Sequence, residues 1–87
     1  MASKTAKSLV SLGHAAALYQ RDPRELLAAL AVVQAEEAYH DGLPIRQTAR
    51  PALELNGVAF FVADEVARAV GWLAESDAKS RKAALDV

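Results

Sequence analysis

The sequence predicts an α+β fold: an N-terminal αα-hairpin, a two-stranded antiparallel β-hairpin and a C-terminal helix. Apolar residues at helical spacing between Thr5 and Gln20, followed by the helix-starting pair Asp22-Pro23, predict the two helices of the αα-hairpin. The pair Asn56-Gly57, set between two apolar runs, is the strongest short signal for a β-hairpin. Acidic residues and a helical apolar stripe after this hairpin predict the last helix.

The length and composition of the chain limit the size of its fold and the partners it can attract. A chain of 87 residues forms at most one domain, and we expect its ends, residues 1–4 and 84–87, to be frayed. Much of the 53% hydrophobic content is alanine, which favours helix but fills little core volume, so we expect a homodimer. The net charge of −1 gives no general attraction to nucleic acid or membrane. The absence of cysteine excludes disulfides. We therefore expect a cytoplasmic protein.

The second helix has the clearest boundaries. Asp22 can accept hydrogen bonds from the first turn, and Pro23 suits the first helical position because it lacks an amide donor. The helix is expected to run to about His40, with Gly42 as its C-terminal stop. The link to the first helix is only a residue or two, which predicts antiparallel packing of the pair.

The predicted β-hairpin assigns its side chains to two faces. A two-residue turn at Asn56-Gly57 places five apolar side chains on one face, which we assign to the core: Leu53, Leu55, Val58, Phe60 and Val62. Phe61 then points to the opposite face, where another element or a partner chain has to cover it.

The last helix is expected to start near Ala63, because Asp64 and Glu65 suit its N-terminal end. Gly71-Trp72 is expected to interrupt it. The remaining residues either continue the helix or begin a new one at Ser76.

The segment from residue 57 to residue 72 resembles two kinds of DNA-binding domain. Phe60-Phe61-Val62-Ala63, followed by a helix that closes at Gly71-Trp72, is similar to the opening of the phage and viral Bro-N (antirepressor) domain. Glu65-Val66-Ala67 followed by Gly71 is similar to the first helix of excisionase-type helix-turn-helix domains.

These resemblances imply a small phage- or plasmid-type transcription regulator that binds DNA through the hairpin and the following helix. The recognition helix then falls at residues 76–85. The phosphate contacts implied by this interpretation are Arg68, Lys79, Arg81 and Lys82.

A second function class stays open. Residues 51–87 hold four basic and six acidic side chains, whereas DNA-reading surfaces usually concentrate positive charge. The alternative is a protein–protein interaction module, or an inhibitor that binds and blocks a host protein. Phe61 and Trp72 are then the predicted partner contacts, since aromatic residues are enriched among interface anchors.

Catalysis and metal binding are not expected. Glu37 and His40 have the spacing of carboxylate-bridged di-metal bundles, but the chain holds one copy of the motif, and an exposed polar helix end explains it equally well. No serine-histidine-aspartate elbow, phosphate-binding loop or zinc spacing occurs. We therefore predict no enzymatic activity, no cofactor, no metal, no small-molecule substrate and no membrane partner.

Overall fold

The computed structural model describes the backbone of residues 8–85 and the side chains of residues 8–80. The predictions made for residues 1–7 and 86–87 lie outside this range. Six elements follow in order: β1 (Leu9–Ser11), α1 (Leu12–Tyr19), α2 (Pro23–Asp41), β2 (Leu53–Leu55), β3 (Val58–Val62) and α3 (Ala63–Leu85). The predicted α+β class is confirmed.

The sheet has three antiparallel strands in the order β1-β3-β2, rather than the two that were predicted. Leu9 pairs with Val62 and Ser11 pairs with Phe60. The prediction of one helix from Thr5 is therefore wrong between Leu9 and Ser11. Ser11 explains the change of structure: its backbone is extended, and its hydroxyl accepts from the amide of His14 at 3.2 Å, which caps α1.

The turn between β2 and β3 lies at Asn56-Gly57. Both residues have positive φ, 50° and 79°, as a type I′ turn requires. Leu55 pairs with Val58 and, two residues further along each strand, Leu53 pairs with Phe60.

The prediction of which face of this hairpin packs against the core is wrong. Phe61 is only 1% exposed and belongs to the core, whereas the two β2 leucines and Val58 are exposed. Val10 of β1 pairs with Phe61, and Ala59 lies on the same side of β3, so these three side chains form the apolar part of the inner face. Glu54, which pairs with Ala59, also lies on this side, so the period of two favoured the opposite face, whose side chains are all apolar.

The helices supply most of the core. Asp22 caps α2 by accepting from the amide of Arg24 at 2.7 Å, and Gly42 ends the helix with φ of 70°. α2 packs against α1 but more extensively along α3. The largest fully buried side chains come from α2, β3 and α3: Leu26, Leu30, Phe61 and Val66.

α3 runs without a break from Ala63 to Leu85. The predicted interruption at Gly71-Trp72 is therefore wrong, and residues 76–85 are not a separate helix. Buried Val66, Ala69 and Leu73 lie on one face across this point, so packing fixes the helix despite the glycine. Residues 84 and 85, which were expected to be frayed, belong to α3. Across residues 8–85, the helices lack the combination of length and apolar character that crossing a bilayer requires.

Candidate interaction surfaces

The side of the sheet that faces away from the helices is apolar, and we call it the outer sheet face. Paired residues on antiparallel strands share a face, so the strand register places six apolar side chains here: Leu9, Leu53, Leu55, Val58, Phe60 and Val62. None of the six belongs to the hydrophobic core or packs against it. Leu9, Leu53, Leu55 and Val58 are 40%, 41%, 54% and 44% exposed. A contiguous apolar patch of this kind is typical of an interaction site.

Of the two predicted partner contacts, the structure leaves one at the surface. Phe61 is buried beneath the helices and offers no area to a partner, so its assignment as a contact is corrected to a core residue. Trp72 is 41% exposed on α3. The prediction that Trp72 contacts a partner remains a prediction.

The four predicted phosphate contacts all lie on α3, but at different levels of it. Arg68 is in the first half, and Lys79 follows eleven residues later, about 16 Å along the helix axis at 1.5 Å per residue. Lys79 is exposed. Arg81 and Lys82 belong to the last turns of α3, and their side chains lie outside the described range.

Arg68 is engaged within the chain. Its Nη2 donates to Oε2 of Glu37 on α2 at 2.8 Å and lies 3.7 Å from Oδ2 of Asp64. The hydrogen bond to Glu37 is the main cause of a raised pKa for Arg68; burial acts in the opposite direction, and the negative charges of Glu37, Asp64 and Glu65 raise the pKa further. A guanidinium held by two carboxylates has little charge left for a phosphate group.

A second surface, which we call the loop groove, lies between α2, the segment 43–52 and the start of α3. Its volume is ≈ 440 Å³. The apolar lining comes from Ala35, Ala38, Leu43, Pro44, Pro51, Ala52 and Val62, and the polar lining from Gln34, Arg46, Arg50 and Glu65. The sequence showed two arginines in this loop but not the groove that they line.

Gln34 fixes one wall of the loop groove. Its Oε1 accepts from the backbone amide of Arg50 at 2.7 Å, and its Nε2 donates to the backbone carbonyl of Arg50 at 2.8 Å. The same Nε2 lies 3.2 Å from Oε1 of Glu65. Sequence reasoning missed this role, although a glutamine on the apolar side of a helix was a signal that a polar group there needs a partner.

Glu65 sits at the boundary between the groove and the helices. Partial burial is the main cause of its raised pKa, the hydrogen bond from Gln34 works in the opposite direction, and the nearby carboxylate of Glu37 raises it further. The fold therefore disfavours the ionised form of this group.

The helix end with the di-metal spacing is held in other ways. Glu37 accepts the hydrogen bond from Arg68, and the ring of His40 meets that of Tyr39 edge-on at 5.9 Å. Among residues 8–80, no three histidine, aspartate or glutamate side chains come together as metal ligands.

No protein-family model, curated protein or solved structure matches this chain. The resemblance to Bro-N and excisionase-type domains therefore remains a prediction that depends on residues 57–72 themselves. α3 continues through Gly71, where the helix-turn-helix interpretation requires a turn.

Proposed function

We propose that this chain is a non-enzymatic binding protein that acts as a homodimer, with the outer sheet face as the dimer interface. The observation that supports this proposal is a row of six apolar side chains on one side of a three-stranded sheet, of which Leu9, Leu53, Leu55 and Val58 are exposed and the other two are half-buried. Among the described residues of the three strands, the register adds only Ser11 to this side, so these strands bring no charged side chain to the face. Two such faces can pack as two layers of a β-sandwich.

The expected gain is comparable to the cost of association. Fully burying a valine or leucine contributes about 1.5–3 kcal/mol, and Leu9, Leu53, Leu55 and Val58 are roughly half exposed. Covering these four side chains therefore contributes about 3–6 kcal/mol in each copy, or about 6–12 kcal/mol in a dimer. Lost translational and rotational freedom costs about 4–15 kcal/mol.

Three features favour a second copy of the chain as the occupant. An uncharged face does not require opposite charges on its partner. The same face of a second copy can therefore pack against it in a two-fold symmetric dimer. A net charge of −1 leaves little repulsion between copies. Finally, four of the ten buried core residues found among residues 8–80 are alanines, so the core in this range is small and association supplements it.

Leu55→Asp tests the proposal, because Leu55 is the most exposed side chain of the outer sheet face. In a two-fold dimer the substitution removes about 1 kcal/mol of apolar burial from each copy and adds about 1–3 kcal/mol per copy for an unpaired buried carboxylate. Together these effects amount to about 4–8 kcal/mol in the dimer and raise its dissociation constant at least about 1,000-fold. Sedimentation equilibrium over a range of concentrations measures it.

The matched control is Leu18→Asp, the same substitution at an exposed position of α1. It should leave the dissociation constant unchanged, and both variants should keep the wild-type circular dichroism spectrum. A wild-type chain that stays monomeric at high micromolar concentration refutes the proposal. So does equal weakening of the dimer by the two substitutions.

DNA binding is the second candidate function. The observation in its favour is that α3 extends unbroken to Leu85, so that Lys79, Arg81 and Lys82 belong to the same continuous helix. The triple variant Lys79→Ala, Arg81→Ala, Lys82→Ala should then lose retention on duplex DNA, and wild-type retention should fall steeply with salt. Absence of any mobility shift at low salt excludes this function.

A further inference from the structure

We propose that the loop groove binds a small amphiphilic carboxylate, with its apolar body against the alanine and proline walls and its carboxylate between Arg46 and Arg50. This inference does not depend on the homodimer, because the groove and the outer sheet face share only Val62. It names a ligand site that the sequence did not predict.

The size and lining of the groove indicate the apolar body. Ligand pockets commonly have volumes of about 300–1,000 Å³ and are mostly apolar with a few placed polar groups. The loop groove has ≈ 440 Å³ and seven apolar lining residues among eleven. This volume is in the lower half of that range and suits a small molecule. A linear or single-ring molecule of this size fits, whereas a folded protein segment needs more surface.

The charge of the groove indicates the head group. Ion pairs among residues 8–80 engage Arg21 and Arg68 but not Arg46 or Arg50. Two arginines therefore line one groove without a carboxylate partner in this part of the chain. Guanidinium groups match carboxylates because their donors form two parallel hydrogen bonds.

The one acidic residue in the lining already has a partner. Oε1 of Glu65 lies 3.2 Å from Nε2 of Gln34, which is also bonded to the Arg50 backbone. Because Gln34 is neutral, the lining carries two positive charges and one negative charge, and this net positive charge favours an anionic ligand over a cationic one.

Gln34 also prepares the site before a ligand arrives. Its two hydrogen bonds, at 2.7 and 2.8 Å, hold the amide and carbonyl of Arg50 against α2. A backbone that is already fixed loses less freedom on binding, which strengthens affinity at a given number of contacts. Gln34 is thus a positioning residue for the ligand site.

Octanoate is a suitable probe, with octanol as the neutral molecule of equal chain length. In nuclear magnetic resonance titrations of the full chain, octanoate should shift the amide signals of Ala35, Ala38 and Ala52 at millimolar concentration, and octanol should bind at least tenfold more weakly. The double variant Arg46→Ala, Arg50→Ala should weaken octanoate binding at least tenfold, because charge-assisted hydrogen bonds are lost.

Two further variants locate the site. Arg24→Ala removes an exposed arginine from the first turn of α2 and should leave octanoate binding unchanged. Ala38→Leu fills the groove without changing any charge and should abolish binding. Equal binding of octanol and octanoate overturns the proposal, as does unchanged binding in the double arginine variant. Shifts confined to the outer sheet face also overturn it, but leave the homodimer to be judged by sedimentation.

Discussion

Replacing Gly71 with alanine should stabilise this protein. Gly71 lies inside α3, and a Cβ atom built on it meets nothing within 4 Å apart from its chain neighbours and the backbone of its own helix. Alanine is better than glycine in a helix interior by about 0.5–1 kcal/mol, partly because glycine loses more backbone freedom on folding. For a domain of this size, about 1 kcal/mol raises the melting temperature by roughly 4–8 °C.

Thermal unfolding followed by circular dichroism measures this shift, at one fixed protein concentration because dimerisation makes the melting temperature depend on concentration. The matched control is Gly42→Ala. The φ of Gly42 is 70°, which alanine adopts at a cost of about 1–2 kcal/mol, so the same substitution should lower the melting temperature there.

The result at Gly71 also separates two descriptions of this region. A continuous helix predicts opposite signs for the two alanine variants. A turn at Gly71, as in a helix-turn-helix domain, predicts that both variants lose stability. A lowered melting temperature for Gly71→Ala would refute the reasoning about α3 and favour the DNA-binding resemblance.

The remaining predictions concern the core, one carboxylate and one ion pair. Phe61→Ala should lower the free energy of unfolding by about 3–5 kcal/mol, because it leaves a cavity in the core. Trp72→Ala should lower it by less than about 1 kcal/mol, because the side chain lies at the surface. Urea unfolding measures both values, and similar losses in the two variants would contradict the observed burial. Burial raises the pKa of Glu65 above its ordinary value of 4.5, which means that folding favours the protonated carboxyl group. The free energy of unfolding that the protonated group contributes is therefore fully present below pH 4.5, and it is lost as the pH rises through the raised pKa. Glu65→Gln should therefore stabilise the chain at neutral pH but not below pH 4.5, and a gain that is independent of pH would contradict this. Arg21 Nη1 lies 2.7 Å from Asp77 Oδ2, and a double-mutant cycle on this half-exposed pair should give about 0.5–1 kcal/mol that decreases with salt; no coupling at low salt would contradict it.

Local signals predicted the elements whose boundaries are decided by a few neighbouring residues. Asp22-Pro23 and Gly42 bound α2, and Asn56-Gly57 forms the turn, because a cap, a fixed φ and a positive φ act within one turn of chain. Gly71 shows the limit of such signals. Its intrinsic cost of about 1 kcal/mol is small beside the burial of the α3 face that spans it.

Long-range packing decided what the sequence could not. β1 is a strand because its partner is Val62 and its neighbours, which are about 50 residues away, and no local pattern shows that pairing. Phe61 and Phe60 are adjacent aromatic residues on opposite sides of β3, and only the position of the helices buries Phe61. In the same way, Gln34 is explained only once the loop that contains Arg50 lies against α2.

The position of β1 in the sheet has a consequence for how the chain folds. The β2–β3 hairpin closes across two residues, whereas joining Leu9 to Val62 closes a loop of about 50 residues, which costs about 3 kcal/mol more in chain entropy. During synthesis, β1 emerges first but has no partner until β3 has been made. β1 can therefore join the sheet only after β3 exists, and until it does the edge of β3 is open to a strand from another chain.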